Sequence, residues 1–443
     1  MAKPEDLPPR LATARFPEQV LRVLRTLDGA GYRSWLVGGA VRDLLLDRPR
    51  TATDHDVATP ARPETVVALF PRVIETGIEH GTVTVLANGI AVEVTTFRGE
   101  GAYLDGRRPS SVTFLDDVDA DLARRDFTVN ALAYDPLGLA FRDPYGGRAD
   151  VAARVIRAVG DPLARFREDG LRPLRAARFA AQLGFEVEPA TRDAIPAVLD
   201  VVAKVSVERI MEELSRLVVA DEPRRGLDLL EATGLLGAVL PEVAAAAPAA
   251  RAHAFATATA APAELPVRLA ALLHVAAPPS AATARGVLQR LRFSNAVIED
   301  AAALAGGLRC AGSGEARAPL PSSDAEVRRW LARATRARAG ALLALTRADA
   351  RAAGDAQPGA VAEVEAFAAR VAAVERERPP LTAGELALDG RAIMERLGIP
   401  PGRAVGEALR HALERVLEEP SLNTPEELTS LLGTWWARRA SGG

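Results

Sequence analysis

Residues 35–59, WLVGGAVRDLLLDRPRTATDHDVAT, limit what this chain can fold into more than any other stretch. An apolar run, Trp35-Leu36-Val37, meets Gly38-Gly39 and then Ala40-Val41-Arg42-Asp43-Leu44-Leu45-Leu46. That order predicts a strand, a turn without side chains and the first turns of a helix. Unpaired backbone N–H groups and the positive end of the helix dipole then face a spot where a phosphate can lie against bare backbone. Arg42 falls in the first helical turn, where its planar fork can clamp the same phosphate. Asp54-His55-Asp56 follows, and an extended chain there puts Asp54 and Asp56 on one face and His55 on the other. Two carboxylates facing a phosphate site are what a hard cation such as Mg2+ requires.

Each half also has an ordinary structural reading, Gly-Gly as a tight turn and Asp-x-Asp as a solvated loop. Their adjacency, with Arg42 between them, outweighs both. The stretch closely resembles the signature of the class II tRNA nucleotidyltransferase and poly(A) polymerase family. The resemblance implies an α+β fold, with a small mixed-sheet nucleotidyltransferase head followed by an elongated all-α region of neck, body and tail. The expected division is a catalytic head over 1–150, a helical nucleotide-selecting neck over 151–235, a helical body over 236–350 and a helical tRNA-binding tail over 351–443.

At 443 residues, 48% hydrophobic and 26% charged, the chain is long enough for two to four globular domains. Its polar start, MAKPEDLPPR, predicts no signal peptide, and its Ala-rich tracts are too often interrupted by Arg, Glu and Pro to span a membrane. Cys310 is the only cysteine, which excludes internal disulfides and a Cys-based zinc site and points to the cytoplasm. A net charge of −3 is not that of a dedicated nucleic-acid binder, so any polynucleotide must be held by local basic patches. Lys3 and Lys204 are the only lysines; arginine, which suits bidentate phosphate binding, supplies the rest of the positive charge.

Helical spacing over 16–31 ends at Gly29 and Gly31, and a second helix is expected from Pro63 to Phe70. Strands are expected over 73–76, 81–86 and 90–97, the last two joined by a hairpin turn at Asn88-Gly89. Glu93, among alternating apolar residues of the last strand, reads either as a third active-site carboxylate or as a buried partner for an arginine. Residues 98–113 are polar and Gly-rich, the composition of a mobile loop, and 116–124 is expected to be helical. In Arg124-Arg125-Asp126-Phe127-Thr128-Val129-Asn130-Ala131, the two arginines alone would read as a solvated helix end. The family resemblance instead implies that the segment lines the nucleotide pocket, with Arg125 on the triphosphate.

From Asp161 onward the pattern is helical. Asp169 and Arg172, three apart, share a helix face in this reading, and Arg172, Arg175 and Arg178 continue a basic stripe. An intrahelical ion pair on a wet surface is the plain account of that stripe. A chemical account also exists: cytosine and adenine both present an amino donor beside a ring-nitrogen acceptor. A carboxylate can accept the amino hydrogen while a guanidinium donates to the ring nitrogen. Uracil and guanine reverse that pattern, and a site built for one pattern rejects the other. The family's EDxxR motif is read in this way, and it falls on Glu168, Asp169 and Arg172. Gly170 and Pro173 sit awkwardly inside a helix there, so either the helix starts near Gly170 or its first turn is distorted.

Ser206 is expected to cap an amphipathic helix carrying SVERIMEEL, whose role is to brace the preceding helix, as in the resembling family. His274 precedes Val275 where some relatives carry a His-Asp phosphohydrolase pair, so that activity is not supported and a core histidine is expected. Residues 311–324 are expected to link helical parts, and 381–419 resembles the tail of bacterial CCA-adding enzymes. A helix–turn–helix packing unit is the equal alternative there, and Trp435 and Trp436 read only as packing.

The resemblance implies template-independent addition of C and A, from CTP and ATP, to the 3′ end of tRNA. Asp54 and Asp56 would hold Mg2+, and Arg42 would join them in catalysis. Gly38, Gly39, Arg42 and Arg125 would bind phosphate and sugar, Asp169 and Arg172 would read the base, and Arg175 and Arg178 would support them. An enzyme adding only the terminal A is the runner-up. A poly(A) polymerase and an RNA-binding module with a dead nucleotidyltransferase fold come after it. No membrane partner is expected, and nothing in the residues sets an oligomeric state.

Overall fold

The computed structural model of the chain describes residues 7–47, 55–75, 77–99, 113–308 and 319–441. Two compact units divide it, residues 1–241 and 242–443. Asp54, Thr76, Cys310, most of the 98–113 loop and residues 311–318 of the expected linker lie outside the described residues.

In the first unit, strands β1 (Trp35–Val37), β2 (Asp56–Thr59), β3 (Val73–Ile74), β4 (Thr82–Ala87), β5 (Ile90–Thr96), β8 (Ala133–Asp135) and β9 (Ala140–Arg142) form one sheet in the order β3-β4-β5-β2-β1-β8-β9. Two further short strands, β6 (Arg98–Gly99) and β7 (Thr113–Phe114), pair with each other. All neighbours in the large sheet are antiparallel except β2 and β5, so the sheet is mixed. Trp35, Leu36 and Val37 are all buried because β1 lies inside the sheet with strands on both sides and cover on both faces. The β4–β5 hairpin turns at Asn88-Gly89 with positive φ at both residues, the geometry that follows the strand twist.

Register decides which chain ends meet. β1 pairs antiparallel with β2, Leu36 opposite Val57, so the end of β1 and the start of β2 share one edge. Val37 also pairs with Ala133 of β8, and the Gly38 amide donates to the Leu132 carbonyl at 3.1 Å, bringing the 124–131 segment to the same edge. Parallel pairing of β2 with β5 puts Asp56 opposite Glu93.

Beyond the sheet the first unit is mostly helical, with one short parallel strand pair, Val155–Ile156 and Glu186–Val187, set among the helices of the region expected to be all-α. Helix Pro162–Glu168 ends at Asp169, whose backbone is extended, and the next helix runs Arg172–Leu183. Asp169 therefore stands in the connection between two helices and not on a shared face with Arg172, which corrects the expected spacing. Pro173 falls in the first turn, where its missing N–H costs nothing. Gly170 is explained by close approach: a Cβ there would sit 2.5 Å from the Val201 carbonyl oxygen. Helix Val207–Val218 packs on Arg172–Leu183, and Ser206 precedes it with extended backbone but without a side-chain capping bond.

The second unit is built of helices. Ser323 and Glu326 form a reciprocal cap at the start of Asp324–Ala334, and a core gathers around Val327, Leu331, Phe367 and Val371. A separate cluster around Ile393, Ala412, Val416, Leu428 and Leu432 is flanked by Trp435 and Trp436, with His411 stacked on Trp435 at 5.6 Å. Among the described residues no helix is long and apolar enough to cross a membrane.

His274 is buried in this unit, and its Nδ1 donates to the Ala271 carbonyl at 2.7 Å. The His253 ring lies edge-on to it at 6.3 Å, and His253 meets the fully buried Asp349 at 2.7 Å. Burial pushes the His274 imidazole down to about 4, against the pull of the Ala271 hydrogen bond and Asp349. On acidification the unfolded chain takes this proton first, so stability falls as pH drops from about 6.5 to about 4 and is flat above. The loss from this one group is about 3 kcal/mol across that window. Urea unfolding at about pH 7 and about pH 4 is expected to show it, and His274→Asn is expected to flatten the acid limb by about that amount.

Candidate active site

The shared sheet edge opens into a cleft of about 600 Å3 within the first unit, inside the range of about 300–1,000 Å3 usual for small-molecule sites. Gly38, Gly39, Arg42, Asp56, Arg125, Asp169, Arg172, Arg175 and Arg178 all line it. Its wall carries nine arginines (42, 98, 124, 125, 172, 175, 178, 209 and 216) against five carboxylates (Asp43, Asp56, Glu93, Asp126 and Asp169). The lining side chains thus carry an excess of cations in a chain of net charge −3, partly balanced by Asp121, Glu168 and Glu213, which pair with them from outside the lining, and an anionic ligand is favoured there.

Helix Gly39–Leu45 follows Gly38, which adopts φ 65 and ψ −127, a conformation in practice open only to glycine. A second reason for glycine is space. A Cβ at Gly38 would lie 2.8 Å from Arg125 Nη1, and one at Gly39 would lie 3.4 Å from Arg42 Nη2. Two guanidiniums therefore rest directly on the bare backbone, which becomes a notch edged by cations.

Both arginines are held from behind. Arg42 is buried, donating from Nη1 to Asn130 Oδ1 at 2.6 Å and from Nε to Asp43 at 2.9 Å. Arg125 donates to the Asn130 carbonyl and to Asp121, each at 3.3 Å, while its buried Nε has no partner among the described residues. Arg124 reaches Asp121 at 2.6 Å. Burial lowers Arg124 to about 10, with Arg98 and Arg125 adding to the fall and Asp121 opposing it, so the group stays charged at neutral pH.

Asp56 and Glu93, paired across β2 and β5, are both exposed to the cleft, whereas His55 faces the interior. The expected alternation holds over the three described residues of 54–57, with His55 and Val57 buried and Asp56 exposed. Glu93 is not the buried partner of an arginine; it stands beside Asp56. The donors on this side are carboxylate oxygens, with no imidazole or thiolate among the described lining residues. Such a set fits a hard cation of the Mg2+ class.

The other wall comes from the helical part. Asp169 Oδ1 accepts from the Leu171 amide at 3.0 Å and from Arg209 Nη1 at 3.2 Å, and Oδ2 accepts from Arg209 Nη2 at 2.7 Å. With two lone pairs on each oxygen, one acceptor position remains, on Oδ2. Arg172 spends Nη1 on the Arg165 carbonyl and Glu168, and one Nη2 hydrogen on the Arg124 carbonyl at 3.0 Å. Two of its five N–H groups remain, on Nε and Nη2. Fixed in this way, the pair offers one acceptor and a small number of donors.

Arg175 and Arg178 line the same cleft, further along the helix that starts at Arg172. Arg175 donates to Asp126 at 2.7 Å, and Arg178 is bound by buried Glu213 and by Gln182. Burial alone would raise the Asp126 carboxyl, but Arg175 and the Asn130 amide hold it at about 2. Asp126 also accepts from Asn130, which holds Arg42, so one network joins both walls.

Reading by sequence missed Arg209, Glu213 and the bonding role of Asp126. Arg209 belongs to the helix expected only to brace its neighbour. The available signal was its seven-residue spacing from Arg216 on the same helix, which puts two cations on one face.

Residues 34–157 match the poly(A) polymerase head domain, and residues 184–247 match a probable RNA- and SrmB-binding site of polymerase A. The CCA-adding enzyme of Geobacillus thermodenitrificans is 38% identical over 416 residues, covering 94% of this chain and 96% of that protein. This chain belongs to the CCA-adding enzyme family. The family's member from Geobacillus stearothermophilus matches to the same extent. A solved structure of the Bacillus stearothermophilus CCA-adding enzyme in complex with CTP superposes with a TM-score of 0.76 at 34% identity, covering all of both chains. The expected fold class, a mixed-sheet head followed by a long helical region, is that of the family.

Proposed function

We propose that the chain adds C and A, from CTP and ATP, to the 3′ end of tRNA without a nucleic-acid template and releases pyrophosphate. The observation that carries this reading is one cleft holding a glycine notch edged by Arg42 and Arg125, the Asp56–Glu93 carboxylates and the Asp169–Arg172 pair. Whole-length likeness to CCA-adding enzymes, one of them solved with CTP, supports it. The division into head, neck, body and tail and a cytoplasmic location belong to the same proposal.

In the reaction, the RNA 3′-oxygen bonds to the α-phosphorus in line with the leaving group, and the bond from that phosphorus to the pyrophosphate oxygen breaks. The Gly38-Gly39 notch, Arg42 and Arg125 hold the triphosphate. Asp56, Glu93 beside it and Asp54 two residues upstream would hold Mg2+, which when bound neutralises phosphate charge and lowers the pKa of the attacking hydroxyl. Asp169 accepts a hydrogen from the amino group shared by cytosine and adenine, and Arg172 donates to the ring nitrogen. Arg209 and the Leu171 amide keep Asp169 in place, and Glu168 with the Arg165 and Arg124 carbonyls keeps Arg172 in place. Arg175 and Arg178, tied to Asp126 and Glu213, support them along the same helix.

The test is incubation with tRNA ending at the discriminator base and labelled CTP and ATP. Addition of three nucleotides, C, C and A, is expected. ATP incorporation only on tRNA already ending in CC would select an A-adding enzyme. Long A tails would select a poly(A) polymerase, and no incorporation would leave a non-catalytic RNA binder.

A further inference from the structure

Helix Val207–Val218 places Arg209, Glu213 and Arg216 in line, since steps of four and three residues keep side chains on one face. Arg209 holds Asp169, and Glu213 holds Arg178. Arg216 lines the same cleft and is exposed, yet among the described residues it makes no hydrogen bond or ion pair. Each of the other eight arginines in the wall donates to an acceptor. Glu212, four residues earlier and exposed, is the ordinary intrahelical partner for Arg216, and the two do not pair. The guanidinium is therefore the cleft's uncommitted cation among the described residues.

Its position separates it from the nucleotide-binding groups. Along the helix, Arg209 meets Asp169, Glu213 comes next with Arg178, and Arg216 lies one turn further. Arg209 and Arg216 are thus about 10 Å apart along the axis. Arg216 is also on a different segment from Gly38, Arg42 and Arg125, which serve the triphosphate in the reading above.

We infer that Arg216 binds a phosphate of the RNA strand whose 3′ end enters the cleft. The inference rests on the proposed function and adds a residue that positions the acceptor strand and not the incoming nucleotide. A phosphate on the nucleotide offers the same chemistry, so the experiment must separate the two sources. An arginine in the last helical turn also complements the helix dipole without any RNA. That structural role must be separated as well.

Wild type, Arg216→Ala and Arg216→Lys are compared in three measurements: binding of tRNA lacking CCA by fluorescence anisotropy over a salt series, KM for CTP, and thermal midpoint. Arg216→Ala is expected to weaken RNA binding about three- to fivefold, the scale of one exposed ion pair. The slope of log affinity against log salt is expected to fall by about one. KM for CTP is expected to stay within about twofold, and Arg216→Lys to restore most RNA binding. Unchanged RNA affinity and salt slope would overturn the inference. So would an equal rise in KM for CTP, or a fall in thermal midpoint large enough to account for the binding loss. If wild type binds RNA but incorporates no nucleotide, the functional reading fails, and the anisotropy arm still decides the role of Arg216.

Discussion

Asp56→Asn is expected to lower CMP and AMP incorporation by about three to four orders of magnitude. The thermal midpoint should stay close to that of wild type. The size follows from the several kcal/mol of charge stabilisation that a bound cation supplies, at about 1.4 kcal/mol per tenfold in rate. The small stability effect follows from exposure: Asp56 stands at the open end of β2, facing the cleft. Asparagine keeps the shape and removes the charge. Glu93→Gln is expected to cost less, because Glu93 shares its edge position with Asp56 through backbone pairing. Single-turnover assays with saturating CTP measure both. Near wild-type turnover by Asp56→Asn would remove Asp56 from catalysis and leave the cleft as a nucleotide and RNA binding site.

The second large effect is on base choice. Asp169→Ala is expected to reduce discrimination against UTP and GTP by about a hundredfold while some turnover remains. Its carboxylate, half-buried in the cleft wall, keeps one acceptor position after the Leu171 amide and Arg209 are served, and that acceptor left facing a carbonyl is what excludes the wrong base. Arg209→Ala separates positioning from contact. Arg209 does not reach the base in this account but orients Asp169 by two hydrogen bonds at 3.2 and 2.7 Å. Its loss is expected to give the same relaxation at smaller scale, about tenfold, with a larger change in KM than in kcat. Competition assays with paired labelled nucleotides read the ratio directly. If Asp169→Ala still excludes UTP and GTP as wild type does, base reading belongs to other groups in the cleft.

Much of the head was legible because its signals are local. Gly38-Gly39 after an apolar strand, alternation from 82 to 96 and Asn88-Gly89 each follow from backbone sterics or side-chain period. The structure places strands, turn and helix there with ends shifted by one or two residues. Gly170 and Pro173 marked the true start of the helix Arg172–Leu183, while the EDxxR spacing suggested one continuous helix. The breaker residues were the better guide, since Gly170 answers to the Val201 backbone and Pro173 is tolerated only in a first turn.

Residue types and local geometry determined that this chain makes a strand–glycine–helix notch, carries acids just after it, and presents a basic stripe on a later helix. Only the tertiary structure decided which arginine answers which acid. The pairs 126–175, 178–213 and 169–209 join segments 35 to 49 residues apart. Nothing within either segment selects the other, because every arginine in a sequence offers the same charge and the same five donors. The choice is made when helices pack and sheet register brings Asp56 beside Glu93. Burial then raises the cost of an unmatched charge enough to leave one arrangement.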